Sequence, residues 1–366
     1  MCIVLISTSH PDYALILVNN RDEYLLRPTS PASFWPAPNS HILGGRDLLR
    51  EEHGTWLGMT TSGQLAVLTN FREDDNFIGG RSRGAMVNAF LTSEVPPGDN
   101  GEDATKRFVE RLLVPGKDDD NLKGVGGFSL VCGVLRPSPP APSSSSSSTP
   151  APTAIAPLTV LSNRTEDPSA TSWIAHSRNQ TYGLSNTIFG EPYPKVTRGK
   201  ILLADTIARN LSQDAGDKEL LIERLLREVL SDDTMPARKE GQSHEDYLGE
   251  TKHSIFVPAF DDDTPSSHEP SHTSTPQTSS SSSTTSLPAT TTNTADPHHL
   301  LSTTTLSSTE GLTGKYGTQK QSVILVDWQG GLTFLERTLW DERAREVEVG
   351  WGDQRFEFVI EGWKGG

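Results

Sequence analysis

Two cysteines, Cys2 and Cys132, in 366 residues are too few for a disulfide framework. That excludes the small secreted scaffolds that depend on one and makes a reducing compartment the default expectation. Positive charge is also scarce: 32 Lys and Arg stand against 47 Asp and Glu, for a formal net charge of −15. General nucleic-acid binding and attachment to an anionic membrane surface both need basic patches, and the nearest approach to one, "RSRG" at 81–84, is too short to serve. No apolar run approaches the roughly 18 residues needed to span a bilayer. The first such run, residues 2–6, lacks a basic flank and stops at "STSHPD", so it does not read as a signal peptide. The sequons at Asn163, Asn179 and Asn210 then read as chance matches.

Chemical motifs are missing as well. There is no G-x-S-x-G elbow, Walker A run, H-E-x-x-H or paired C-x-x-C, which sets aside elbow-type α/β-hydrolases, P-loop NTPases, zincins and zinc modules. His41, His53, His176 and His253 are isolated, and His298-His299 falls in a low-complexity tract, so no histidine pair has ligand spacing inside a folded segment. No metal and no cofactor are expected.

Ser, Thr and Pro are abundant in two stretches, 137–157 and 261–310. Neither can bury enough apolar surface to offset its ordering entropy, and both read as disordered low-complexity insertions. What remains fits one α+β domain interrupted twice: a first part over 1–136, a middle part over 158–260 and closing strands over 311–366.

"CIVLIS" and "YALILVN", joined by "TSHPD", read as a β-hairpin. A turn centred on Pro11-Asp12 places Cys2 opposite Arg21, although a slip of one residue would change that partner. "HILGGRD", "GTWLGMT" and "GQLAVLTNF" continue the meander and are expected to join the hairpin in one antiparallel sheet. Helical spacing marks "SRGAMVNAFLTS", "EDATKRFVERLLV", "GKILLADTIARNLS" and "DKELLIERLLREVLS". Strand-like runs lie between and after these, and their order predicts two sheets packed face to face with helices outside. Cys132, in the apolar run "GFSLVCGVL", reads as a small core residue.

Cys2 offers chemistry of its own. A cysteine behind the initiator Met1 is small enough for that methionine to be removed, leaving an α-amino group that titrates near pH 8 beside the thiol. Such a nucleophile needs a cationic or hydrogen-bonding partner, a carboxylate to hold the amine and donors for a developing oxyanion. Arg21 and Asp22 are placed to supply the first two, against the plainer reading of Asn-Arg-Asp-Glu as a solvated strand end.

"NNRDEY" at 19–24, "GGRD" at 44–47, "GTWLG" at 54–58, "LTNFR" at 68–72 and "SRG" at 82–84 resemble the NRDE family, also called the transport and Golgi organisation family. "YGLSN" at 182–186, "PKV" at 194–196, "GK" at 199–200, "SIF" at 254–256 and "YGT" at 316–318 continue the likeness in order. The resemblance implies a four-layer αββα sandwich like that of the N-terminal nucleophile hydrolases. It implies Cys2 as nucleophile after Met1 removal, Arg21 and Asp22 as orienting residues, and Asn70 and Asn186 as oxyanion and amine contacts, in an amidohydrolase of non-peptide C–N bonds. Relatives tend to carry Arg after "YGT", where this chain has Gln319 and then Lys320. The resemblance implies a role in Golgi organisation and protein secretion and a cytoplasmic, Golgi-associated or mitochondria-associated location. Its alternative is a non-catalytic protein that binds or moves a lipid, acyl-CoA or haem. Small-molecule amide, acyl or haem ligands and secretory-pathway proteins are the partners it implies.

Overall fold

A computed structural model describes residues 2–72, 82–113, 124–138, 154–165, 167, 171–261 and 313–363. In chain order its strands are β1 (Ile3–Ser7), β2 (Tyr13–Tyr24), β3 (Thr29–Phe34), β4 (Ile42–Asp47), β5 (Leu57–Thr60), β6 (Gln64–Asn70), β7 (Phe128–Val134), β8 (Leu158–Ser162), β9 (Ser172–Ile174), β10 (Thr181–Leu184), β11 (Tyr316–Asp327), β12 (Gly331–Thr338) and β13 (Asp353–Val359). The helices are α1 (Gly84–Leu91), α2 (Glu102–Leu113), α3 (Pro194–Gln213), α4 (Lys218–Arg224), which runs on into a π-helical segment over Leu225–Leu230, and α5 (His244–Glu250).

The strands form two antiparallel sheets, one of six strands in the order β10-β1-β2-β11-β12-β13 and one of seven in the order β3 to β9. Three apolar cores separate the layers. Val4, Ile6, Leu15, Leu17 and Phe334 of the first sheet meet Leu43, Leu57, Met59, Val67 and Val131 of the second. On the other face of the first sheet Ile3, Leu5, Ile16 and Val18 pack against Val196, Leu203 and Ile207 of α3 and Leu221 and Ile222 of α4. On the far face of the second sheet Ala66, Leu68, Leu130 and Cys132 pack against Val87 and Phe90 of α1 and Phe108 of α2. The result is the αββα sandwich. It explains why β1 and β7 read as largely apolar runs: strands covered on both faces have no solvated side to alternate with.

The expectation of one sheet holding both the hairpin and the meander is corrected. After β2 the chain crosses to the second sheet through a segment carrying Pro28, and β3, which contains Pro31, becomes that sheet's edge. Proline lacks the N–H a central strand needs, so the edge is where it is tolerated. Helix α3 also starts earlier than its apolar spacing indicates, at Pro194, whose fixed φ suits the first helical position. The stretches expected to be insertions lie outside the described residues except at their ends. There Pro137 bridges to Ile155, and both Ile155 and Ala156 are buried.

Gly54 of "GTWLG" and Gly84 of "SRG" touch backbone to backbone: a Cβ on Gly54 would lie 2.7 Å from the Gly84 carbonyl carbon and 2.8 Å from its Cα. Gly54→Ala is expected to lift α1 from the second sheet at a cost of about 1–3 kcal/mol, read as a lowered urea midpoint at unchanged slope. Wild-type stability in this variant would refute the contact.

Candidate active site

Strand β1 pairs with β2 in the register Ile3 to Asn20 through Ser7 to Ile16. Cys2 and Arg21, the next residues outward, therefore stand opposite each other, as the turn at Pro11-Asp12 predicts. Alternation then divides the charged run. Arg21 shares the inter-sheet face with Leu15 and Leu17, whereas Asp22 shares the helix-facing side with Ile16 and Val18.

Arg21 is buried and lies 4.6 Å over the Trp56 ring. Its guanidinium donates to Gln319 Oε1 and lies 4.0 Å from Glu23 and 3.9 Å from Asp47. Asp47 also takes Arg27 at 2.6 Å. Arg27 and Arg21 together hold the Glu23 carboxyl below its usual range, although burial works the other way. Trp56 is thus core on one side and a platform for Arg21 on the other.

Asp22 is held from several directions. Thr318 Oγ1 donates to its Oδ1 at 2.8 Å, Tyr316 donates its hydroxyl proton to the Asp22 carbonyl at 3.0 Å, and the Lys195 ammonium lies 3.6 Å from Oδ2. Both members of the Asp22–Lys195 pair have fully buried side chains. Lys195 comes from the first turn of α3, and "PKV" gave no sign of its role because the contact depends on how that helix docks. The docking needs Gly199, where a Cβ would come within 2.8 Å of Leu5 Cδ1.

Cys2 is 8 % exposed. Burial pushes its thiol up, and Asp22 acts in the same sense; the positive chain end, Arg21 and the Asp22 backbone N–H, which donates to the sulfur, pull it down. The net shift is upward, so the resting sulfur is a thiol that needs a base. Cys132, buried within β7, is pushed up by desolvation with nothing opposing it.

The two asparagines come together. Asn186 Nδ2 donates to the Asn70 carbonyl, and the Ser185 hydroxyl lies within reach of the Cys2 carbonyl at 2.7 Å and of Asn186 Oδ1 at 3.1 Å. Thr69 Oγ1 donates to the Ser185 carbonyl at 2.6 Å. The segment after β10 therefore ties the end of β6 in one sheet to Cys2 beside the other. The Asn70 side-chain amide has no hydrogen-bond partner among the described residues.

Gln319 occupies a bulge between Thr318 and Lys320 and reaches Arg21. Lys320, opposite Arg21 in the ladder, instead donates to Glu336 at 3.0 Å and Thr338 at 3.2 Å. Among the described residues no group of three or more His, Cys, Asp and Glu could hold a metal ion, and no helix is long and apolar enough to cross a membrane.

The chain is similar to the transport and Golgi organization protein 2 homolog of Homo sapiens, 26% identical over 369 residues that cover 99% of this chain and all of that one. The Bos taurus homolog of the same name is 30% identical over 243 residues, 64% of this chain and 72% of its own. A crystal structure of the C2A mutant of conjugated bile acid hydrolase from Clostridium perfringens aligns over 98% of each chain at 9% identity and a TM-score of 0.33. The model of the family described as Transport and Golgi organisation 2 matches residues 1–341, and the chain belongs to that family.

Proposed function

We propose that this chain is an N-terminal-cysteine hydrolase of a non-peptide amide or a thioester, working in the transport and Golgi-organising setting that its family's name gives. The observation that carries the reading is the surroundings of Cys2: a buried thiol that takes an N–H from Asp22, with Arg21 opposite in the ladder and the Asp22–Lys195 pair beside it. Once Met1 is removed, the Cys2 α-amine is the base. The sulfur attacks the acyl carbon while its proton passes to that amine, and the tetrahedral oxyanion is received by the Asn70 amide. Collapse expels the leaving amine or thiol, which takes the proton, and a water deprotonated by the same α-amine then hydrolyses the thioester.

Burial holds the proton on the Cys2 thiol, so attack in this reading requires the α-amine to take that proton. Intact mass of the purified protein, before and after a thiol-directed electrophile, tests the reading. The expected result is a chain lacking Met1 that gains one adduct, mapped to Cys2 and absent from Cys2→Ala, with Cys132 protected inside β7. Retention of Met1, or labelling of Cys132 alone, overturns it.

A further inference from the structure

We propose that Lys195 is the positioning residue of this site, a cation placed by α3 to orient the Asp22 carboxylate and to stabilise the Cys2 thiolate as it forms. The inference rests on the hydrolase reading of Cys2 and extends it to a residue outside the hairpin.

Lys195 breaks two local rules at once. Lysine is almost never fully buried unless paired, and Lys195 is 0% exposed. A helix N-terminus is the positive end of the macrodipole and disfavours a cation, yet Lys195 follows Pro194 at the start of α3, whose N-cap Tyr193 makes no capping side-chain bond. Two such costs at one residue are expected where function requires them. The structure meets them with the fully buried Asp22 carboxylate, which Thr318 fixes from its other oxygen.

The charges acting on Cys2 are Asp22, Arg21 and the positive chain end, and Lys195 joins them through its pair with Asp22. Arg21 shares its charge with Glu23 and Asp47, while Lys320 is taken up by Glu336. Lys195 is the cation that pairs with Asp22 on the helix side of the sheet, and Asp22 adjoins Arg21, the residue opposite Cys2. Burial lowers the hold of Lys195 on a proton, and Asp22 and Cys2 work against that.

The test is the pH dependence of Cys2 alkylation by iodoacetamide in the full chain, read by intact mass from about pH 5 to about pH 10. Lys195→Met is expected to raise the midpoint by about one unit, a roughly tenfold slower reaction at neutral pH, and Lys195→Arg to restore part of it. An unchanged midpoint in folded Lys195→Met overturns the inference and leaves the hydrolase reading standing. No labelling at any pH overturns both. If Lys195→Met does not fold, wild-type chain carrying 13Cε-lysine answers the same question. One lysine signal is expected to move when Cys2 is alkylated, and a spectrum in which none moves overturns the proposal.

Discussion

Asp22→Ala is expected to destabilise the folded chain by about 3–5 kcal/mol, the cost of leaving a buried charge without its partner. The loss comes mainly from Lys195: both side chains are fully buried, and the carboxylate 3.6 Å away is what makes an interior ammonium tolerable. Thr318 Oγ1 loses an acceptor in the same step. Asp22→Asn keeps that acceptor but not the charge, so it is expected to recover only part of the loss. Asp22→Asn combined with Lys195→Met removes both charges and is expected to recover most of it. Urea unfolding at constant slope reads all three variants.

A pH signature separates this cause from general damage. Burial already lowers the Lys195 pKa, and in Asp22→Ala the carboxylate that opposes the shift is gone. When a lysine binds its proton more weakly in the folded state, the unfolded chain carries more protons, and stability rises with pH. Asp22→Ala should therefore gain stability from neutral pH up towards the ordinary lysine value of about 10.4. An Asp22→Ala curve that runs parallel to wild type would show that Lys195 is not the source of the loss.

The hairpin that aligns Cys2 with Arg21 was legible in the sequence because everything it needs is local: two β-rich runs, a Pro-Asp turn and a register fixed by both. The partition of strands between sheets was not. Apolar patterning records how many faces of a strand are covered, and β1 and β7 look alike on that measure although they lie in different sheets. Helix α5 was missed for a related reason, since His244–Glu250 is too short to show a helical period, and the Ser243 cap that starts it is a single residue. Lys195 lay in a stretch already matched to the family, but its place beside Asp22 depends on α3 packing over β1 through Gly199, and no pattern in the sequence encodes that contact.

Lys320 stands opposite Arg21 in the ladder, close enough to the site to be weighed against Lys195 as its second cation. Its ammonium points to Glu336, whose Oε1 also accepts the Ala32 N–H at 2.8 Å and so joins β12 to the edge strand of the other sheet. Glu336→Ala strips Lys320, 2% exposed, of its counter-charge and leaves Ala32 without an acceptor. A loss of about 3–5 kcal/mol is expected from the charge, with about 1–3 kcal/mol more from the orphaned amide. Lys320→Met with Glu336→Gln removes both charges while keeping an oxygen for Ala32, and its urea midpoint should return close to wild type. Because Lys320 is engaged away from Cys2, the alkylation profile of Cys2 in this double variant should match wild type. A midpoint raised as far as in Lys195→Met would move the site's second cation from α3 to β11.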